Sequence, residues 1–199
     1  MSIRSKKTLC HLTKLENLDN ILKYNLISRE ALIDNGIYFK DVADAEILDG
    51  RSLNNLQYYV PFHFYAGNPF DWKVQNNHKN SNFIYICITR ELAEYNNFKI
   101  IPMHPLSMNP FKIYNYKEGM KEINWNLMET RNYRDPKCKQ ICMAECITEL
   151  TIPYEHFQSI AVKDEKTKEI VENKIKKYEC INGKKHHNIH IDVRPYWFY

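Results

Sequence analysis

The sequence predicts an α+β domain with a mixed or antiparallel sheet, and three observations carry that expectation. Segments of strand character cluster along the chain, and helical segments do not alternate with them regularly, which argues against a doubly wound parallel sheet. Only five glycines occur, and none falls in a G-x-G-x-x-G or G-x-x-x-x-G-K-[ST] run, so both dinucleotide-binding and phosphate-loop fingerprints are missing. Hydrophobic residues fill 44% of the 199 positions, too many for a disordered chain and enough for a packed core.

The elements follow in order. Thr13-Lys-Leu-Glu16 has the form of a capping box, in which the threonine hydroxyl accepts the Glu16 backbone N–H while that carboxylate reaches back. A helix is predicted from that point, with Leu15, Leu18, Ile21 and Leu22 on one face and Leu26-Ile27-Ser28 leading out of it. Tyr58 to Tyr65 is packed with aromatic and β-branched residues and predicts a strand, with Pro61 at an edge, end or bulge and a turn at Ala66-Gly-Asn-Pro69. Phe83-Ile-Tyr-Ile-Cys-Ile-Thr89 is apolar on both faces, as a central strand is. A short helix at Arg90 to Tyr95 and a short strand at Lys99-Ile-Ile-Pro102 come next. Residues 117 to 146 carry a mostly helical pattern, after which Ile147 to Ile152 alternates with period two until Pro153. Phe157 to Val162 predicts another strand. Glu165 to Tyr178 predicts an amphipathic helix with Ile170, Val171, Ile175 and Tyr178 inward, and Ile189 to Val193 a last strand.

No repeat or low-complexity linker appears, so residues 1–199 read as one domain. Lys and Arg number 28 against 24 Asp and Glu, a net charge of +4 that permits a nucleic-acid partner without demanding one. No apolar run approaches the ~20 residues of a membrane span, and the first eight residues lack the apolar core of a secretion signal, so a cytoplasmic location without a membrane partner is expected. With no export signal, the six cysteines are expected as free thiols.

Several constellations invite chemistry. Cys138, Cys142 and Cys146 stand four apart, but on a helix the outer two lie about 12 Å from each other, which suits buried thiols better than zinc. His186, His187 and His190 near Cys180 fall in a polar turn and the strand after it, where period two separates the faces of His187 and His190. No metal is expected from either group. The charge run Asp164 to Lys177 reads as one solvated helix face. The aromatics from Tyr58 to Trp72 alternate with polar residues, as a base-stacking platform would, although period two buries half of them. Glu145 stands among Ile141, Met143, Ala144, Cys146 and Ile147, surroundings too apolar for a casual surface carboxylate.

Taken in order, His11-Leu-Thr-Lys-Leu-Glu-Asn17 with Leu18, the isolated Arg51, Val60-Pro-Phe-His-Phe-Tyr65, Asn68-Pro69 and Ala144-Glu145 form a set that resembles the DarT family of DNA ADP-ribosyltransferase toxins. The resemblance spans residues 11 to about 162. It implies a split, mostly antiparallel sheet cradling NAD, which serves as co-substrate, and transfer of ADP-ribose to a base of single-stranded DNA. By the same resemblance His11, Thr13 and Asn17 border the nicotinamide side of the NAD pocket. Arg51 binds the NAD phosphates and steadies the site, and Glu145 is the catalytic carboxylate. DNA contacts are expected from His63, Phe64, Tyr65, Asn68, Phe70, Trp72 and His104, with Lys73, Lys79 and Lys112 on phosphates. A cognate antitoxin that removes the mark is implied as partner.

In the thymine-modifying pattern the turn reads like P-M-L-Y and the catalytic segment like R-Q-A-E-h-L-V, with h apolar. Here they read Pro69-Phe-Asp-Trp72 and Cys142-Met-Ala-Glu-Cys-Ile147, and with His104-Pro-Leu-Ser107 they resemble the guanine-modifying branch more closely. Guanine is therefore the expected acceptor and thymine the alternative. Two rivals remain at this point: an ADP-ribosyltransferase acting on protein or RNA, and a non-catalytic single-strand-binding module.

Overall fold

The computed structural model describes residues 2–42, 45–184 and 189–199. Its strands are β1 (Thr8–Lys14), β2 (Val60–His63), β3 (Phe83–Thr89), β4 (Lys99–Ile101), β5 (Glu145–Thr148), β6 (Ser159–Val162) and β7 (His190–Val193). They form one seven-stranded sheet in the order β4-β5-β2-β1-β3-β6-β7. Every neighbouring pair is antiparallel except β6 and β7. That parallel pair requires a crossover, which the helix over Glu165–Ile181 supplies.

The register explains where the sheet opens. β1 pairs with β3 along seven residues, from Thr8 opposite Thr89 to Lys14 opposite Phe83, yet it meets β2 only where Cys10 faces His63. Pro61 is the cause. Its carbonyl accepts a hydrogen bond from the His11 ring on β1, at 2.8 Å. In an extended strand a residue's N–H and C=O point to the same side, so the donor that proline lacks is one β1 would have used. The ladder fails there, and the sheet divides into a β4-β5-β2 half and a β1-β3-β6-β7 half.

Helices cover both faces. Leu9, Phe62, Ile84, Ile86 and Ile88 bury one face against residues of α1 (Leu18–Tyr24), α7 (Trp125–Thr130), α8 (Pro136–Ile141) and α9 (Glu165–Ile181). Cys10, Leu12, Tyr85 and Cys87 bury the other beneath Val74 of α4 (Pro69–Asn77) and Phe198. The short α5 (Arg90–Tyr95) begins with an arginine whose buried guanidinium donates to the carbonyls of Ile3, Arg4 and Phe64, fastening the N-terminal segment to the end of β2. The remaining helices are α2 (Arg29–Asp34), α3 (Ala45–Ser52) and α6 (Tyr116–Glu122).

Sheet pairing overrides several local signals. Thr13 caps no helix: it lies in β1 opposite Ile84, and its hydroxyl accepts from the Asn17 side chain. Helix α1 starts only at Leu18, after a 3₁₀ turn over Leu15–Asn17. The predicted strand from Tyr58 narrows to Val60–His63, and Asn68-Pro69 is a helix start, with the Asn68 side chain accepting from the Phe70 and Asp71 N–H groups. The helical pattern predicted through Cys146 stops at Ile141, because Glu145 and Cys146 insert as a strand between Phe62 and Ile100. Cys138, Cys142 and Cys146 therefore share no helix face, and β5 ends at Thr148, leaving Ile152 to bridge Leu26. His190 lies in β7, whereas His186 and His187 fall outside the described residues. Among the described residues no helix is long and apolar enough to cross a membrane.

Helix α6 docks on β4 at Gly119, where an added Cβ would stand 2.3 Å from the Cβ of Ile100, an atom fixed to the backbone. Gly119→Ala should therefore destabilise the fold by about 1–3 kcal/mol in urea unfolding, despite alanine's better helix propensity. Unchanged stability would mean that α6 moves freely on the sheet.

Candidate active site

The division between β1 and β2 opens into a cleft of about 1220 Å³, counting its solvent-filled mouth. Its largely apolar lining, with a few convergent polar and charged groups, suits an organic ligand. His11, Thr13, Asn17, Arg51 and Glu145 all line it, as do His63 and Phe70.

Glu145 opens β5, flanked across the sheet by His63 on one side and Ile101 on the other. Arg51, in the last turn of α3, donates from Nη1 to Glu145 Oε1 at 2.7 Å, and the two side chains are only 14% and 6% exposed. The pairing is one-pronged. Arg51 Nη2 and Glu145 Oε2 are both buried without a hydrogen-bond partner. A guanidinium and a carboxylate normally close such a gap by pairing through two bonds, and each unmet buried polar atom carries a desolvation cost of roughly 1–3 kcal/mol. The pair is thus held on the cleft wall in a geometry that leaves one strong donor and one strong acceptor unpaired.

His11 is fixed by its bond to Pro61. A carbonyl only accepts, so Nδ1 carries the proton and Nε2 is left as an acceptor. Burial lowers this histidine to about 4, against the smaller opposing effect of the Pro61 hydrogen bond, so the ring is neutral near pH 7. Thr13 and Asn17 form the adjoining wall. Both N–H donors of the Asn17 amide are engaged, one on Thr13 Oγ1 at 3.1 Å and one on the Lys40 carbonyl at 2.9 Å, while its oxygen accepts the Lys40 N–H at 2.7 Å. Asn17 thereby pins the segment around Lys40 beside the cleft.

The predicted DNA contacts divide. His63 is buried at the cleft, donating from Nδ1 to the Ala144 carbonyl at 3.1 Å, and the half-buried Phe70 ring lies 5.5 Å from it. Trp72 is half exposed beside Tyr199, and Lys73, Lys79 and Lys112 are exposed. His104 is half-buried within the fields of Glu145 and Arg51, and burial lowers its pKa. Phe64, Tyr65 and Asn68 correct the sequence reading. Phe64 is core, edge-on to Trp125 at 5.2 Å; the Tyr65 ring is 2% exposed; and Asn68 is fully buried as the cap of α4. None can stack on a base without leaving the interior, because inward-facing positions at the end of β2 do not alternate as period two predicts.

Asp71 escaped the sequence reading. Its buried carboxylate accepts from the Gly67 N–H, the Asn68 side chain and the Tyr85 hydroxyl, and burial raises its pKa. The Asn68-Pro-Phe-Asp71 spacing, a capping box, was the available signal.

A family model described as "ssDNA thymidine ADP-ribosyltransferase, DarT" matches residues 10–199. No curated protein sequence matches. Among solved structures, Thermus sp. 2.9 DarT in complex with ADP-ribosylated ssDNA superposes with a TM-score of 0.78 at 17% identity, covering 97% of this chain and 96% of that one. The same Thermus protein in complex with NAD+ gives 0.74 at 15% identity over 98% of both chains. Thermosipho africanus DarTG in complex with ADP-ribose gives 0.74 at 18% identity, over 98% of this chain and 51% of that longer one. At such identities the likeness is one of fold.

A histidine held neutral by burial makes a signed prediction. Its stabilising contribution is present above the ordinary value of 6.5 and fades as pH falls toward about 4, because the unfolded chain takes a proton that the native ring refuses. The His11 ring resonance should titrate near 4 in an NMR pH series. A midpoint near 6.5 would mean that the ring is solvated and the cleft wall misassigned.

Proposed function

The chain belongs to the DarT family of single-stranded-DNA ADP-ribosyltransferases, and on that premise we propose that Glu145 and Arg51 carry the transfer of ADP-ribose from NAD to a guanine base. The supporting observation is the one-pronged ion pair on the cleft wall, which leaves one carboxylate oxygen and one guanidinium nitrogen without partners. All described residues would serve this one domain, and the reaction would take place in the cytoplasm.

The chemistry explains why those two groups suit the task. The bond from the ribose C1 to nicotinamide breaks with its electron pair leaving on nicotinamide, and the ribose gains oxocarbenium character. A base nitrogen then bonds to C1 with its lone pair and loses a proton. Glu145 Oε2, accepting from a ribose hydroxyl, would strengthen its bond as positive charge develops, and could take up the departing proton. Arg51 would steer Glu145 through Nη1 while Nη2 binds a NAD phosphate, a division of labour that suits a planar fork of donors. Neutral His11 would present Nε2 as an acceptor, and Thr13 would border the nicotinamide end with Asn17 holding the wall.

Guanine is favoured by the departures from the thymine-modifying pattern, one of which, Phe70, falls on the cleft wall. His104 lies within reach of the Glu145 charge. The strand would pass over His63, Phe70, Trp72 and His104, with Lys73, Lys79 and Lys112 toward phosphates. A cognate antitoxin that strips off the ADP-ribosyl group is the partner such a toxin requires.

Nucleosides released from single-stranded oligonucleotides after incubation with the protein and NAD should include deoxyguanosine carrying one ADP-ribosyl group by mass spectrometry. An adduct on thymidine alone would retire guanine and leave the transferase; labelling of protein or RNA in place of DNA would overturn the acceptor class. Glu145→Gln should lower transfer by about 10²–10³-fold or more. It should also leave unfolding stability within about 1 kcal/mol, because the amide keeps the acceptor facing Arg51. A variant that unfolds while each folded molecule keeps full activity would make Glu145 a structural residue.

A further inference from the structure

Building on the single-stranded-DNA reading, we infer that Lys6 and Arg131 form a phosphate clamp for the DNA strand, mounted on the Tyr65 ring beside the catalytic end of β2. The Lys6 Nζ lies 6.0 Å and the Arg131 guanidinium carbon 5.1 Å from the centre of that ring. The ring itself is buried, and its hydroxyl meets that of Tyr133 at 3.3 Å, so it is a fixed platform for two cations and not a surface for a base.

Neither cation has a carboxylate at ion-pair distance among the described residues. Glu129, whose charge reaches Lys6, instead accepts the Arg4 backbone N–H. Burial and the neighbouring Arg131 both push the Lys6 pKa down, the mark of a repulsion that a bound anion would relieve. Arg131 also occupies the left-handed region, with φ 47°, a conformation suited to glycine or asparagine and costly for arginine. A positive charge is kept at a position whose backbone favours a different residue.

The surroundings and the position indicate a nucleic-acid phosphate. Arg134, Lys137 and Lys139 extend the exposed basic strip, and its one acid, Asp135, is used to cap α8. Arg131 to Lys139 thus carries four basic residues against one acid on the segment leading to Glu145. Tyr65 stands two residues past His63, the cross-strand partner of Glu145, so the platform is at most about 7 Å along the chain from that pair. A phosphate adjoining the acceptor nucleotide would fall within reach.

The test is the salt dependence of single-stranded oligonucleotide binding, followed by fluorescence anisotropy. Lys6→Met keeps the apolar stem over the ring, and Arg131→Asn tolerates the positive φ. Each should weaken binding about three- to tenfold and reduce the slope of log K against log salt by about 0.7, while calorimetric NAD binding stays unchanged. A wild-type protein offered oligonucleotides with one uncharged methylphosphonate linkage at successive positions should lose the same affinity at one position beside the acceptor, a readout that needs no variant. Unaltered slopes in variants that still bind NAD, with no sensitive linkage, would overturn the clamp alone. A wild-type protein that binds NAD and no single-stranded DNA would overturn the DNA reading as well.

Discussion

The molecule turns on a hydrogen bond that β1 and β2 fail to make. Pro61 has no N–H for β1, and its carbonyl is taken by the His11 side chain, so two central strands part after one aligned position. In an ordinary sheet such a defect is confined to an edge. Here it lies between the third and fourth strands of seven, and the space it opens becomes the cleft. The long β1–β3 ladder on one side and the β2–β5 ladder on the other build the two walls of that opening.

Within that opening the Arg51–Glu145 pair is incompletely satisfied, while the Asn17 amide beside it is fully engaged. Asn17 spends both amide donors on the wall, whereas Arg51 and Glu145 each keep one buried atom unpaired, as does Asp71 through Oδ1 in the first turn of α4. Rigid supports around an unsatisfied pair are what electrostatic preorganisation requires: little reorganisation is left when charge develops on a bound substrate. The same arrangement accounts for a neutral His11, since its proton is committed to Pro61 and its surroundings disfavour a second one.

Legibility in the sequence followed the strength of local patterns. β3, α5, β4 and α9 were readable because their apolar spacing is sustained and their ends carry breakers or caps. Thr13 was misread because a capping box is a local signal, whereas seven residues of pairing with β3 are a tertiary one. The start of β5 was hidden inside a helical pattern, since Cys138 to Cys142 is helical and only the partner strands decide where the helix yields. The five cleft residues were picked from a family resemblance and stand in one cavity, although they come from β1, the turn after it, α3 and β5. Phe64 and Tyr65 show the limit of period-two reasoning at a strand end. The Lys6–Arg131 pair was invisible in the sequence, because only the fold brings residues so far apart onto one ring.

The strand order has a consequence for synthesis on the ribosome. β5 inserts between β4 and β2, so the edge of β2 that it covers stays bare until residues up to Thr148 have emerged. The carboxylate at the head of β5 then arrives in a cleft whose other wall is already built. Nascent or prematurely terminated chains lacking that segment have neither the acid nor a closed half-sheet. Late insertion of β5 thus couples the arrival of Glu145 to completion of the half-sheet that holds it.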